Sequence, residues 1–336
     1  MSKTGNANGS FFGSFIYDQL LARRPHFLHD LSRAVDFAFV KEALKDFYVD
    51  WGRDPWDPVL MFKMVFLQFL YDLSDRDIEE QCTWNMLFKC FLGLSTEELP
   101  PDHSTLCRFR LRLGAEGFQR LFNQTVDQAR AKGLISDRLH IIDATHMTAK
   151  VDLFRLKNKH QDGDDDDHYV DRNSPDPDAR FGRKTPKKGF YGYKCHMVQD
   201  ADSEFLVQAR TTPGNVADGT LLPELAQPWA QEMTGDKAYD SRANRSHLLG
   251  LGVSPGLHPR CPRPGRPRKS WRERPKIERK FAECKKFHGL RQARYWTLAK
   301  VTIQTLMVAL VVNLKRWVTL CKLRRPGASW AFAGQS

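Results

Sequence analysis

A chain of 336 residues has room for about two or three domains, and a hydrophobic fraction of 41% with 22 Phe and 8 Trp can fill large cores. The formal net charge of +12 favours a polyanionic partner, nucleic acid before membrane. Seven cysteines at 82, 90, 107, 195, 261, 284 and 321 form no C-x-x-C pair, which argues against a structural zinc site or a disulfide framework and fits a reducing cytosol. The first residues, "MSKTGNANGSFFG", lack an apolar core of signal-peptide length. The most apolar segment begins at Thr305, and its unbroken run, Leu306 to Val312, is too short to span a bilayer. A soluble, intracellular protein is expected, without a membrane partner.

Residues 1–135 have helical texture throughout. "DPVLMFKMVFLQFLYDL" follows a Pro-rich turn and is apolar nearly all round, as a buried helix is. "SDRDIEEQCTWNMLFKCFLGL" starts on Ser74, three residues before Asp77, a capping signal, and ends at Gly93. "PDHSTLCRFRLRLG" is short and basic, with Arg108, Arg110 and Arg112 near its end. Residues 103–113 are the best candidate for a DNA-reading helix, against the alternative of a packing helix with a solvated basic face. "GFQRLFNQTVDQARAKGL" closes the block.

From Leu139 the pattern changes, and residues 136–320 are expected to form a second domain. "LHIIDAT", "FYGYKCHMVQD" and "EFLVQARTT" have strand texture. Between the first two, residues 159–188 are charged and nearly devoid of apolar side chains, which predicts an exposed loop. Asp164 to Asp167 lack the alternating ligand pattern of a calcium loop and read as solvated charges. "ADGTLLPELAQPWAQ" and "SRANRSHLLGLG" predict helices flanking "MTGDKAYDS". A Pro- and Arg-rich arm, 258–271, cannot be helical. Helical texture returns near Arg272, with Ile277, Phe281 and Cys284 on one face. A buried helix over Ala293–Val318 and a basic tail, 321–336, follow.

Three carboxylates stand out. Asp143 ends the first apolar strand, where a buried charge is costly unless paired or metal-bound. Asp236 lies in "TGDKAYDS" and Glu278 in "PKIERKF". An acid on a first strand, another at a later strand end and a third on a following helix is the layout of ribonuclease H-like nucleic-acid enzymes. The sequence resembles the DDE transposases of bacterial insertion sequences over nearly its whole length. The resemblance is carried by "LQFLYDLSDRDIEEQC", "PDHSTLCRFRLRL", "IDATHMTA", "DPDARFG", "FYGYKCHMVQD", "TPGNVADG" and "GDKAYDS". It is carried also by the family's Y-x2-R-x3-E-x6-K spacing, met here by Trp271, Arg274, Glu278 and Lys285. Trp271 stands where the family has Tyr, and Ala238 where it usually has Gly.

The resemblance implies an α/β fold, a ribonuclease H-like catalytic domain with a mixed sheet flanked by helices behind an all-α domain that binds transposon ends. It implies Asp143, Asp236 and Glu278 as catalytic residues and ligands of two Mg²⁺ ions, with Mn²⁺ as a substitute. Arg274 and Lys285 would contact DNA. Lys194 and His196, alternating out of "GYKCH", are further candidates for backbone contacts, and Arg108 and Arg110 for the end-reading helix. Tyr239 and Trp271 are candidates for base stacking or for packing, and His146 for a core residue. The partners implied are terminal inverted repeats and target DNA, bound by a homodimer or higher synaptic complex, cytoplasmic and nucleoid-associated. The competing readings are a transposase-derived DNA-binding regulator without catalysis and a nuclease without strand transfer.

Overall fold

The computed structural model describes residues 13, 15–21, 23–48, 55–157, 166–185, 188–260 and 268–324. Helices fill the first part. The helix Pro58–Leu70 is capped by Asp57, whose Oδ1 accepts the Val59 amide at 2.8 Å, and is buried on most sides. Ser74 and Asp77 form a reciprocal capping box at the start of Asp75–Trp84. The single helix expected to run on to Gly93 is broken at Asn85. The Asn85 side chain accepts the amides of Leu87 and Phe88 and so starts a second helix, Met86–Leu92. His103–Ala131 follows, kinked at Gly114.

The second part is a mixed sheet. β1 (Leu139–Thr148) runs antiparallel to β3 (Lys188–Asp200), and β3 antiparallel to β4 (Leu206–Pro213). On its other side β1 runs parallel to β5 (Glu232–Gly235), and β5 to the short β6 (Ser254–Pro255). The order β4-β3-β1-β5-β6, three antiparallel strands and then two parallel to the first, is the ribonuclease H-like arrangement. β2 (Arg180–Thr185) pairs with the remaining, leading stretch of β3.

Residues 166–173 and 180–185 thus form a helix and a strand within the segment expected to be a loop. Their few apolar side chains suffice, because Val170 and Ala179 are buried and Phe181 packs on the core. Residues 158–165, which include Asp164 and Asp165, lie outside the described residues, as do the tail from 325 and positions 261–267 of the basic arm.

Leu298–Leu323 is the central helix. It is long and apolar enough to cross a membrane, with a mean hydropathy of 1.4. It is instead buried against β4 and against the helices His103–Ala131, Pro58–Leu70 and Phe27–Ala34. One apolar core therefore joins the helical region to the sheet. The "DPD" of "DPDARFG" anchors this helix. Asp178 Oδ2 accepts the Leu298 amide at 2.7 Å, while buried Asp176 accepts the Thr297 amide at 3.1 Å and the Tyr193 hydroxyl at 2.6 Å. A carboxylate at a helix N-terminus is favoured by the helix dipole.

Candidate active site

Asp143 lies one residue beyond Ile142, which is paired with Gly235, and Asp236 follows Gly235 directly. The two acids therefore stand level on neighbouring parallel strands, Asp236 just past the end of β5 and Asp143 within β1, which runs on to Thr148 rather than ending at Asp143 as expected. The strands approach so closely that a Cβ on Gly235 would lie 2.7 Å from Ile142 Cγ2. β5 is only four residues long, in keeping with its poverty in β-branched residues. Asp236 Oδ1 accepts the Ala238 amide at 2.8 Å, a turn of the Asx type.

Glu278 is in the first turn of the helix Pro275–Phe287. Arg274, just before that helix, joins the acids. Its Nη2 donates to Asp143 Oδ2 at 3.3 Å and lies 3.7 Å from Glu278 Oε1. The Asp143 side chain is 13% exposed and that of Glu278 56%, so the site runs from the sheet interior out to solvent. Burial pushes the Asp143 carboxyl up to about 6; Arg274 and the Ala144 amide oppose the rise, and nearby Asp236 adds to it.

Trp271 stacks on His258, with ring centroids 4.5 Å apart, and its Nε1 donates to Gly256 O at 2.8 Å. It braces the chain beyond β6 beside the acids, a role the sequence could not distinguish from base stacking. Tyr239 is fully buried, near Asp143, Asp218 and Asp236, and burial raises its hydroxyl well above the ordinary range. His146 lies against the Phe190 ring, 5.1 Å between centroids. Lys285 lines a cleft between the helical region and the sheet.

Two pairs of expected DNA contacts lie elsewhere. Asp143 is in register with Met197, whereas Lys194 opposes His146 and His196 opposes Ala144. Side chains alternate along a strand, so Lys194 and His196 project from the other face of the sheet. There Lys194 Nζ donates to Asp218 Oδ1 at 2.8 Å and to Val216 O at 2.9 Å. His196 is fully buried beside Thr212, and burial lowers its pKa to about 4, which leaves it neutral. Asp218, which holds Lys194, lies in the "TPGNVADG" motif, which matches the family without giving this residue a role.

Arg110 differs from its expected role as well. It is buried, donates to Gln68 at 3.2 Å, forms an ion pair with Asp75 at 2.5 Å and stacks on Tyr295. Arg108 is exposed and donates to the hydroxyls of Ser104 and Thr105. Arg110→Ala should therefore cost stability, about 3 kcal/mol for one partner of a largely buried pair. Urea unfolding checks this; a change below about 1 kcal/mol would return Arg110 to the candidates for DNA contact.

Three carboxylates suit Mg²⁺, a hard cation that takes oxygen ligands. Asp143 and Asp236 stand level on neighbouring strands, and Glu278 faces Asp143 across Arg274, so the oxygens these residues present fit such an ion. A tighter cluster, Asp137, His140 and Asp200, lies at the opposite end of β1. Its oxygens are already engaged: Asp137 by Arg130 at 2.7 Å and His140 at 2.9 Å, Asp200 by the amides of Asp137 at 3.0 Å and Ser203 at 2.8 Å. It ties the start of β1 to the end of β3.

Residues 15–112 match the family model described as "Transposase domain (DUF772)", and residues 136–314 match "Transposase DDE domain". A solved structure, the piggyBac transposase synaptic complex with hairpin DNA, is similar at a TM-score of 0.41 and 11% identity, covering 92% of this chain and 84% of that one. That score is too low to carry an argument. The DDE match alone spans more than half of the 336 residues, and the chain belongs to the DDE transposases.

Proposed function

We propose that the protein cleaves DNA at the ends of an insertion sequence and transfers the freed 3′-hydroxyl to target DNA. The observation that carries this reading is the meeting of Asp143 and Glu278 on Arg274, with Asp236 level with Asp143 on the next strand. The presence of all three acids favours an enzyme over a regulator that has lost catalysis. Asp143, Asp236 and Glu278 would hold two Mg²⁺ or Mn²⁺ ions. Such ions would activate the attacking oxygen and stabilise the leaving one.

The remaining steps belong to the chain. Arg274, lying between two carboxylates, is placed to pass to a phosphate next to the scissile bond. Lys285, two turns along the same helix, holds the strand further out. Trp271 and His258 keep the loop beyond β6 in place beside Asp236. Arg108, exposed on 103–113, is the residue there that would read the terminal inverted repeats, since Arg112, exposed as well, lies over the Tyr48 ring. Because transposition joins two ends, the active form is a homodimer or higher assembly on DNA, working on the nucleoid in the cytoplasm.

The test is incubation with DNA carrying the element's own ends, with divalent metal or with chelator. Cleaved ends and strand-transfer products should form with metal only. Cleavage without metal would refute the chemistry, and cleavage without joining would leave a nuclease. Asp143 must be ionised to ligate an ion, so at limiting metal the rate should rise as pH passes through about 6. Saturating metal competes with the proton and should move that midpoint down. A rate flat across this range at limiting metal would exclude Asp143 as a ligand.

A further inference from the structure

A cleft of about 810 Å³ separates the first turn of the Asp75–Trp84 helix from the segment just after β1 and the loop before the central helix. Five Lys and Arg side chains line it: Arg76 from the helical region, Lys150 just after β1, Lys285 on the Glu278 helix, Arg291, and Arg294, which is paired with Asp72. Arg76, Lys150 and Arg291 are exposed and make no ion pair among the described residues. The two acids in the lining are already neutralised, Asp72 by Arg294 and Asp75 by Arg110.

The walls are fixed independently of any occupant. Arg294 Nη1 donates to Leu73 O at 2.6 Å, and its guanidinium stacks on Phe69. Gln304 Nε2 donates to the carbonyls of Gly289 and Gln292, both at 2.9 Å. The Ala293 amide donates to Thr148 O at 2.8 Å, which extends β1 across to this loop. A rigid frame with like-charged side chains turned to one space is costly for the fold alone, because like charges repel. A row of phosphates would relieve that cost.

We propose that this cleft is the DNA track between the two parts of the protein, gripping the backbone of the duplex that leads away from the scissile phosphate. This rests on the function proposed above. Continuity with the active site supports DNA rather than a free phosphate compound. Lys285 stands seven residues from Glu278 on one helix, about 10 Å, or about three nucleotides at the axial spacing of one strand. Arg76 then lies on the far wall, so one bound duplex would touch both the helical region and the catalytic one.

The experiment uses full-length protein and a labelled random-sequence duplex, with affinity measured across a salt series. The variants are Arg76→Ala, Lys150→Ala, Arg291→Ala and the triple, with Arg33→Ala as an exposed control outside the cleft. Each cleft residue that neutralises a phosphate should make the slope of log affinity against log salt shallower by about 0.9, while Arg33→Ala leaves it unchanged. Thermal melting confirms that the variants fold; these side chains are exposed, so the single variants remain readable even if the triple is weakened. Slopes equal to wild type in folded variants would overturn the track. So would loss of duplex binding to inorganic pyrophosphate at an ionic strength held constant, since that marks a small-anion site. Metal-dependent cleavage by wild type is followed in parallel. Cutting with unchanged slopes sinks the cleft alone, and shallower slopes without cutting sink the proposed chemistry while the cleft stands.

Discussion

Asp143→Asn will abolish cleavage and at the same time make the metal-free fold more stable in mildly alkaline buffer. The first effect follows from losing a ligand to ions that stabilise developing charge in the transition state. Several kcal/mol at about 1.4 kcal/mol per tenfold is a loss of about a thousandfold or more. The second effect comes from burial. The Asp143 carboxyl is raised from 3.8 to about 6, so the folded protein holds this proton more tightly than the unfolded chain. Its contribution to stability is complete below the unfolded value and is lost as pH rises through about 6. A rise of this size corresponds to about 3 kcal/mol, an upper figure for a group that keeps some contact with water. Asn carries no charge and escapes that loss. Its melting temperature should exceed wild type by about 5 °C in alkaline, metal-free buffer and match it in acid. Divalent metal should then raise the wild-type melting temperature and leave the variant nearly unmoved. A variant that is less stable than wild type at every pH would mean that Asp143 serves the fold rather than the ions, and a variant that still cuts would remove it from the site.

How much of this was legible follows from what sets each feature. Asp143 could be singled out because a carboxylate ending an apolar run breaks the local pattern, and Glu278 because Arg274 and Lys285 fall at family spacing around it. The face of a strand could not be read. Lys194 and His196 alternate with their neighbours whichever way β3 is turned, and only its register with β1 puts them opposite to Asp143. Arg110 illustrates the same difficulty on a helix. Its charge suggests solvent, and its burial depends on Asp75 and Gln68, far away in sequence. The helix expected over "ADGTLLPELAQPWAQ" shrinks to a 3-10 turn, Asp218–Leu221, and one α turn, Leu222–Leu225. Pro228 explains its stop, since the residue before a proline avoids helical backbone. "DPDARFG" could be matched to the family but not explained, because its aspartates cap a helix more than a hundred residues further on.

The largest loss of stability from a single uncharged substitution is expected at Asn313. It interrupts the apolar stretch "MVALVVNLKRW" and is fully buried in the central helix. Its Oδ1 accepts the Leu206 amide at 2.8 Å, and its Nδ2 donates to the Leu206 carbonyl at 2.8 Å. The side chain thus does for β4 what one more strand would do, satisfying both backbone groups of a buried residue at the edge of the sheet. Asn313→Leu keeps the branching of the side chain and removes both bonds, leaving two buried backbone groups unpaired at about 1–3 kcal/mol each. Burial of the new Leu returns about 1–2 kcal/mol, so the net loss should be about 3 kcal/mol, read as a fall of about 5 °C in Tm. Asn313 touches neither the acids nor the cationic cleft, so well below its Tm the variant should still cut DNA at close to the wild-type rate. An unchanged Tm would show that β4 does not need the amide. A normal Tm with lost cleavage would instead reveal a coupling from this edge through β3 to the register of β1, on which the position of Asp143 depends.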